Sequence, residues 1–277
     1  MKRENIRIRD PFVFTEEGKY YLLGTTGNDS WNKGSDLTLF VSDDLENFES
    51  CGTLVLAETL GEYTQIWAPE LHKYNGNYYL IVSVFNERYG RGSILLTADT
   101  VKGPFTPLTG KYITPEGWWC LDATLFCKDG KPYLYFSNEW ICTVTNDGDG
   151  SLFAAELSPD LKEIVGRPKK IVSGKYCGFS KELTHGNGAK GYVAEGPFVL
   201  EENGKTALYW STYTKKGYCV VRSTADEPLG EYTFDKFIFK KDGGHAMLFF
   251  DRNGEKRITF HQPNRSPDER MKIFSIK

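Results

Sequence analysis

The sequence predicts an all-β protein, a five-bladed β-propeller occupying residues 1–277 as one domain. Three observations predict it. One pattern recurs five times along the 277 residues. Each copy carries a tight-hairpin signal between two apolar runs. No long stretch shows the apolar period of a helix.

The recurring unit is a polar or small residue, a short apolar strand, a turn with glycine, and a second strand rich in aromatics. The five copies read DPFVFTEEGKYYLLGTT from Asp10, APELHKYNGNYYLIVSV from Ala68, DATLFCKDGKPYLYFSN from Asp122, EGPFVLEENGKTALYWST from Glu195 and HAMLFFDRNGEKRITFH from His245. Their turns centre on Gly18, Gly76, Gly130, Gly204 and Gly254, at spacings of 58, 54, 74 and 50 residues. Asn-Gly and Asp-Gly pairs supply the positive φ angles that tight hairpins need. A third strand and a polar loop follow each hairpin, as in LTLFVSDDLENF and SILLTADTVKGPF, and the chain ends on another strand, MKIFSIK. Repeats of this length fit propeller blades, whereas β-solenoid repeats are shorter, roughly 20–30 residues. The 74-residue spacing implies an insertion, and the Gly-rich segment 171–191 reads as a loop over one face.

Composition narrows the function. Hydrophobic residues make up 40% of the chain and aromatics 14%, enough for a large core with aromatic surfaces to spare. The formal net charge is −3 and no basic block stands out, so a nucleic-acid partner is not expected. No apolar run approaches the roughly 18 residues of a membrane span. The opening MKRENIRIRDPFVF lacks the apolar core of a signal peptide, so a cytoplasmic location is expected if Met1 is the natural start. The six cysteines include no CxxC pair and are expected to be reduced and mostly buried.

In a propeller the first strand of each blade lines the central channel, so equivalent positions of the repeats face one axis. Counted back from the turn glycines, these are Asp10, Ala68, Asp122, Glu195 and His245. The first three stand eight residues before their glycine and the last two nine, which implies an extra turn residue in each of those blades. Three carboxylates at one axis repel each other and raise the pKa of at least one, a cost that function would justify. A protonated acid facing an ionised carboxylate is what glycoside hydrolysis requires, and a third carboxylate can keep the acid protonated. The competing reading is a metal site, with oxygen ligands and one histidine holding calcium.

The runs Arg9-Asp10-Pro11-Phe12, Trp67-Ala68-Pro69-Glu70, Leu121-Asp122-Ala123, Glu195-Gly196-Pro197-Phe198 and Gly244-His245-Ala246 resemble glycoside hydrolase family 43 across all five blades. The resemblance implies a catalytic domain that hydrolyses α-L-arabinofuranosides or β-D-xylosides by inversion. Asp10 would be the general base, Glu195 the general acid and Asp122 the residue tuning the acid's pKa. His245 resembles an axial histidine found near a bound calcium; no cofactor is needed for the chemistry. Ala123 departs from the proline that usually follows the middle Asp and leaves the carboxylate intact.

Trp67 opens an inner strand and could stack on a sugar; Phe85 and Trp140, just past second strands, are candidate pocket walls. In the terminal HQPNRSPDER, the resemblance gives Arg270 a reach to substrate or acid, while Arg265 reads as a surface residue. His72 and His185 lack partners at metal-ligand spacing and read as ordinary surface or loop residues. No GxSxG occurs, and Gly204-Lys205-Thr206 lacks the upstream glycine of a phosphate loop. The expected substrate is an oligosaccharide attacked from its end. Alternatives are a related glycosidase on a galactoside or fructoside, or a non-catalytic carbohydrate-binding propeller.

Overall fold

In the computed structural model of the protein, the described residues are 1–26, 36–55, 60–141 and 147–276. They form five antiparallel sheets in chain order around a central channel. The first blade is Arg9–Glu16, Lys19–Thr25, Leu37–Ser42 and Glu49–Val55, and the second is Thr64–Tyr74, Asn77–Asn86, Gly90–Ala98 and Thr106–Pro107. The third is Cys120–Lys128, Lys131–Asn138, Ser151–Leu157 and Ile164–Ser173, and the fourth is Glu195–Glu202, Lys205–Thr214, Gly217–Ala225 and Thr233–Phe239. The fifth has three strands, Gly244–Phe250, Lys256–Gln262 and Arg270–Ser275. Each expected hairpin is present. In four of them Glu16 meets Lys19, Tyr74 meets Asn77, Lys128 meets Lys131 and Glu202 meets Lys205 across two-residue turns. The fifth turn is longer, with Phe250 paired to Lys256. Among the described residues no helix is long and apolar enough to cross a membrane.

Apolar faces of neighbouring blades pack on each other, which is where the core lies. One cluster joins blades one, two, four and five; others fill the gaps between two and three and between three and four. Segment 171–191 leaves the third blade and forms a short hairpin, Leu183–Thr184 with Lys190–Gly191. Cys142 lies outside the described residues. Cys51, Cys127, Cys177 and Cys219 carry free thiols. Of the described cysteines just Cys120 and Cys219 are buried, against the expectation that most would be: Cys51 and Cys177 are half-buried and Cys127 is exposed.

The inner strands share a local device that their sequence does not announce. Asp10, Ala68, Asp122, Gly196 and His245 all have positive φ, between 43° and 57°. Each marks a β-bulge where the register against the second strand slips, as between Arg9 and Phe12 or Glu195 and Phe198. Bulges of this kind re-aim side chains near active sites, and a non-glycine residue held there costs about 1–3 kcal/mol. The turned backbone N–H donates to the preceding blade. Ala68 N–H meets Thr25 Oγ1, Asp122 N–H meets Ser83 Oγ and His245 N–H meets Ser211 Oγ, each at 2.8 Å. Between blades three and four, Gly196 N–H donates to Asp122 Oδ2 at 3.0 Å while Ser137 Oγ donates to the Ala194 carbonyl at 2.6 Å.

The circle closes through a histidine. Asp10 N–H donates to His261 Nδ1 at 3.2 Å, and His261 Nε2 meets Asn264 Oδ1 at 3.0 Å. An accepting Nδ1 requires the neutral ring. Burial first, and then the Arg9 charge, push the His261 pKa down to about 3. Because the folded pKa lies below the unfolded value of about 6.5, the resulting stability is present above pH 6.5 and is lost as pH falls toward 3. His261→Gln keeps an acceptor without titrating. Thermal unfolding between pH 6.5 and 4.5 is therefore expected to show the wild type losing stability relative to this variant, by up to about 1.4 kcal/mol per pH unit. Parallel curves for the two proteins would disprove the latch.

Candidate active site

The channel opens into a cavity of about 620 Å³ lined by residues from all five inner strands, among them Asp10, Trp67, Asp122, Glu195 and His245. That volume lies within the range of ordinary small-ligand sites. The structure thus brings the three sequence-selected carboxylates together, with the one in the first blade in different surroundings from the two in the third and fourth.

Asp10 is held as an anion. Thr25 Oγ1 donates to its Oδ2 at 2.8 Å and His245 Nδ1 lies 3.1 Å from its Oδ1. Burial alone would raise its pKa, but the His245 imidazolium, the bond it donates and the Arg9 charge hold it well below the usual carboxylate range. The same contacts act in reverse on His245. Burial lowers its pKa, yet the Asp10 and Asp122 charges push it up to about 10, so the ring is cationic at neutral pH.

Glu195 is held as an acid. It lies deep in the cavity, where burial, followed by the charge of Asp122, raises its pKa. The Tyr218 hydroxyl donates to Glu195 Oε1 at 2.7 Å and opposes that rise, as do the charges of His245 and Arg9. Asp122 is itself raised, chiefly by burial, with Asp10 adding to the rise and His245 resisting it. Its Oδ2 accepts the Gly196 N–H, next in chain to the acid.

The position of Glu195 corrects the sequence reading. The fourth turn has the same two residues as the first, so no extra turn residue exists there, and Gly196 occupies the bulge equivalent to Asp10. Glu195 stands one residue earlier, opposite Ser211, as Arg9 stands opposite Thr25. Only the fifth turn carries the insertion. The acid candidate therefore projects from a different phase of its strand than Asp10 and Asp122 do.

Trp67, Phe85 and Trp140 all line the cavity, as expected for sugar-facing walls. Arg270 does not. It lies on the last strand beside Arg7, and its guanidinium donates to the carbonyls of Glu4, Pro267 and Glu269. The neighbour Glu269 makes the connection instead. Fully buried, it pairs with Arg9 at 3.0 Å and Arg7 at 3.5 Å, and Arg9 lines the cavity beside Asp10. Arg265 pairs with Asp268 on the surface, as expected. His72 meets Glu70 at 2.9 Å outside the cavity. His185, read as an ordinary loop residue, lines the cavity and packs edge-on against Trp140, brought there by the hairpin of segment 171–191.

The residues around His245 fit a metal poorly. Its Nδ1 is engaged by Asp10, and among the described residues no three His, Cys, Asp or Glu converge on one point. Among the described residues no set of side chains is assembled for the calcium expected near the channel, and no step below passes through a metal.

Several cavity residues escaped the sequence reading. Arg91 stacks on Trp67 with its Cζ 3.5 Å from the ring centroid, donates to Gln65 Oε1 at 2.7 Å and lies 3.5 Å from Glu139. Burial pushes the Glu139 carboxyl up to about 7, with Arg91 opposing. Its place beside the flagged Trp140 was the one available signal. Trp119 fills space that a Cβ at Gly90 would enter, 2.4 Å from the indole nitrogen. Tyr218 passes Gly244 in the same way: a Cβ there would sit 2.3 Å from its ring. No sequence motif marks Tyr218, because it reaches Glu195 from the third strand of its blade.

Comparison with known proteins agrees with this architecture. The family model described as glycosyl hydrolases family 43 matches residues 5–273. The crystal structure of an endo-arabinase from Bacteroides thetaiotaomicron is 32% identical, with a TM-score of 0.91 over 100% of this chain and 96% of that one. A xylosidase/arabinosidase from Bacteroides ovatus is 23% identical over 88% of this chain and 82% of its own length. An α-L-arabinofuranosidase from Humicola insolens is 30% identical over 58% of this chain; the matched stretch spans 32% of that longer protein. With a match running from the segment before the first blade into the last strand, the chain belongs to glycosyl hydrolase family 43, a family of glycosidases.

Proposed function

We propose that the protein is an inverting glycoside hydrolase that removes α-L-arabinofuranosyl or β-D-xylosyl units from the ends of oligosaccharides. In this reading Asp10 is the general base, Glu195 the general acid and Asp122 the residue that tunes the acid. The observation that supports it most is the contrast in surroundings between two carboxylates lining one cavity. His245 and Thr25 hold Asp10 toward the ionised form, and burial with the Asp122 charge pushes the Glu195 pKa up, toward the protonated form. Enzymes assign acid and base roles by driving two pKa values apart in this way.

The reaction follows from those states. Glu195 gives its proton to the glycosidic oxygen as the bond to the anomeric carbon breaks. A water attacks that carbon from the opposite face and passes a proton to Asp10. Inversion needs a base and acid far enough apart to admit the water. His245 contacts Asp10 at 3.1 Å and approaches Asp122 at 3.8 Å, linking the base to the tuning residue. The names of the relatives, arabinofuranosidase and xylosidase/arabinosidase, favour pentose substrates.

A second reading is internal cleavage of arabinan, favoured by the endo-arabinase likeness. Product analysis on linear arabino-oligosaccharides separates the two: end-directed action releases monosaccharide from the start, and internal cleavage releases a mixture of oligomers. NMR of the first anomer released tests inversion, and a retained anomer would rule out the water-activating role of Asp10. Asp10→Asn is expected to abolish turnover of whichever aryl arabinoside, xyloside or galactoside the wild type cleaves. A wild type that binds these sugars and cleaves none would leave the carbohydrate-binding reading standing.

A further inference from the structure

Glu139 is a fourth carboxylate on the cavity wall, and the proposed reaction gives it no task. It follows the second strand of the third blade, and its N–H donates to the Trp119 carbonyl at 2.8 Å. Its side chain is only 14% exposed, and what exposure it has belongs to the cavity it lines. Arg91 lies 3.5 Å away and is tied down by Gln65 and by stacking on Trp67. Gln65 and Trp119 both hold positive φ, 54° and 53°. Strained backbone at residues that hold Arg91 and Glu139 is retained where geometry matters to function. Buried carboxylates cost stability unless paired, and Glu139 is close enough to Glu195 for the two charges to oppose each other. A merely structural wall would be served better by an apolar residue.

We propose that Glu139, oriented by Arg91, is the specificity-determining residue that accepts a hydrogen bond from a hydroxyl of the sugar held against Trp67. Trp67, with Arg91 stacked on its indole, and Glu139 line one cavity, so a sugar held there would meet the indole and have one hydroxyl read by the carboxylate. A charge-assisted bond of this kind discriminates strongly, because a ligand lacking the hydroxyl excludes water from the carboxylate without replacing its hydrogen bond. The inference rests on the proposed glycosidase reading and assigns the recognition of one hydroxyl within it.

The test is calorimetric binding of arabinotriose and xylotriose to Asp10→Asn, with and without Glu139→Gln, followed by analogues of the tighter ligand lacking one hydroxyl each on the terminal sugar. Glu139→Gln is expected to weaken the parent ligand by about 10- to 100-fold. One deoxy analogue is expected to bind both proteins equally, since the bond is absent in either case. Equal binding of the parent to both proteins, or the same loss on every analogue, would show that Glu139 only supports the wall. If Asp10→Asn binds neither trisaccharide, the proposed action on arabino- and xylo-oligosaccharides fails and takes the inference with it. Should Glu139→Gln not fold with Arg91 left uncompensated, Glu139→Asp keeps the charge, withdraws it by one methylene and carries the same comparison.

Discussion

Replacing Glu195 by glutamine is expected to lower kcat on natural disaccharides by about 10²- to 10⁴-fold, the range general acid catalysis supplies. The loss should depend on the leaving group. An alkoxide departs only with a proton, whereas 4-nitrophenolate departs without one, so 4-nitrophenyl glycosides should be cleaved by the variant far closer to the wild-type rate. The pH profile carries a second signature. Burial and the Asp122 charge raise Glu195 to about 7. Its protonated form is the active one, so wild-type activity is expected to fall as pH rises through 7. Asp10, held far below the usual range, stays ionised and adds no limb near neutrality. In Glu195→Gln the alkaline limb should vanish. Equal losses for both leaving groups, with the limb retained, would assign the proton to another residue.

Asp122→Asn and Tyr218→Phe are expected to move that limb in opposite directions. Six groups bear on Glu195: Asp122 and Glu139 from the third blade, Tyr213 and Tyr218 from the fourth, His245 from the fifth and Arg9 from the first. Asp122 opposes ionisation of Glu195 by like charge, so its removal lets the acid ionise at lower pH. Asparagine can still accept the Gly196 N–H, which preserves the local backbone. A limb lowered by one pH unit corresponds to about 1.4 kcal/mol and costs about tenfold in activity above the limb. Tyr218 donates to the carboxylate at 2.7 Å and favours the ionised form. Without its hydroxyl the acid should hold its proton to higher pH, while kcat falls from poorer positioning. An Asp122→Asn limb that stays in place or moves up would contradict the assignment of Asp122 as the tuner, and a Tyr218→Phe limb that moves down would contradict the role of Tyr218. Gly244 ties this pair to the fold, since any larger residue there collides with the Tyr218 ring.

The sequence carried the site well where repeats carried it, and poorly elsewhere. Asp10, Asp122 and His245 were legible because each opens a hairpin whose turn chemistry is local. Glu195 is only partly legible: its distance from Gly204 suggests a longer turn, but that turn has two residues and the bulge falls on Gly196. Counting along a strand cannot reveal where a bulge inserts, because a bulge leaves no fixed residue type. The resemblance drew attention to the terminal Glu-Arg run but selected Arg270, whose guanidinium caps backbone carbonyls, over Glu269, which holds Arg9.

What the sequence determined by itself is the five-blade repeat, its hairpins and the convergence of three carboxylates on one axis. These follow from short-range rules, the period of two in strands and the φ demands of tight turns. Tertiary structure alone decided how those carboxylates differ. The His245 contact that keeps Asp10 ionised, the Tyr218 bond on Glu195, the Arg91–Glu139 pair and the His261 closure each join separate strands or separate blades. Protonation depends on burial and on charges a few ångströms away, and both are set by how blades pack rather than by the order of residues within them.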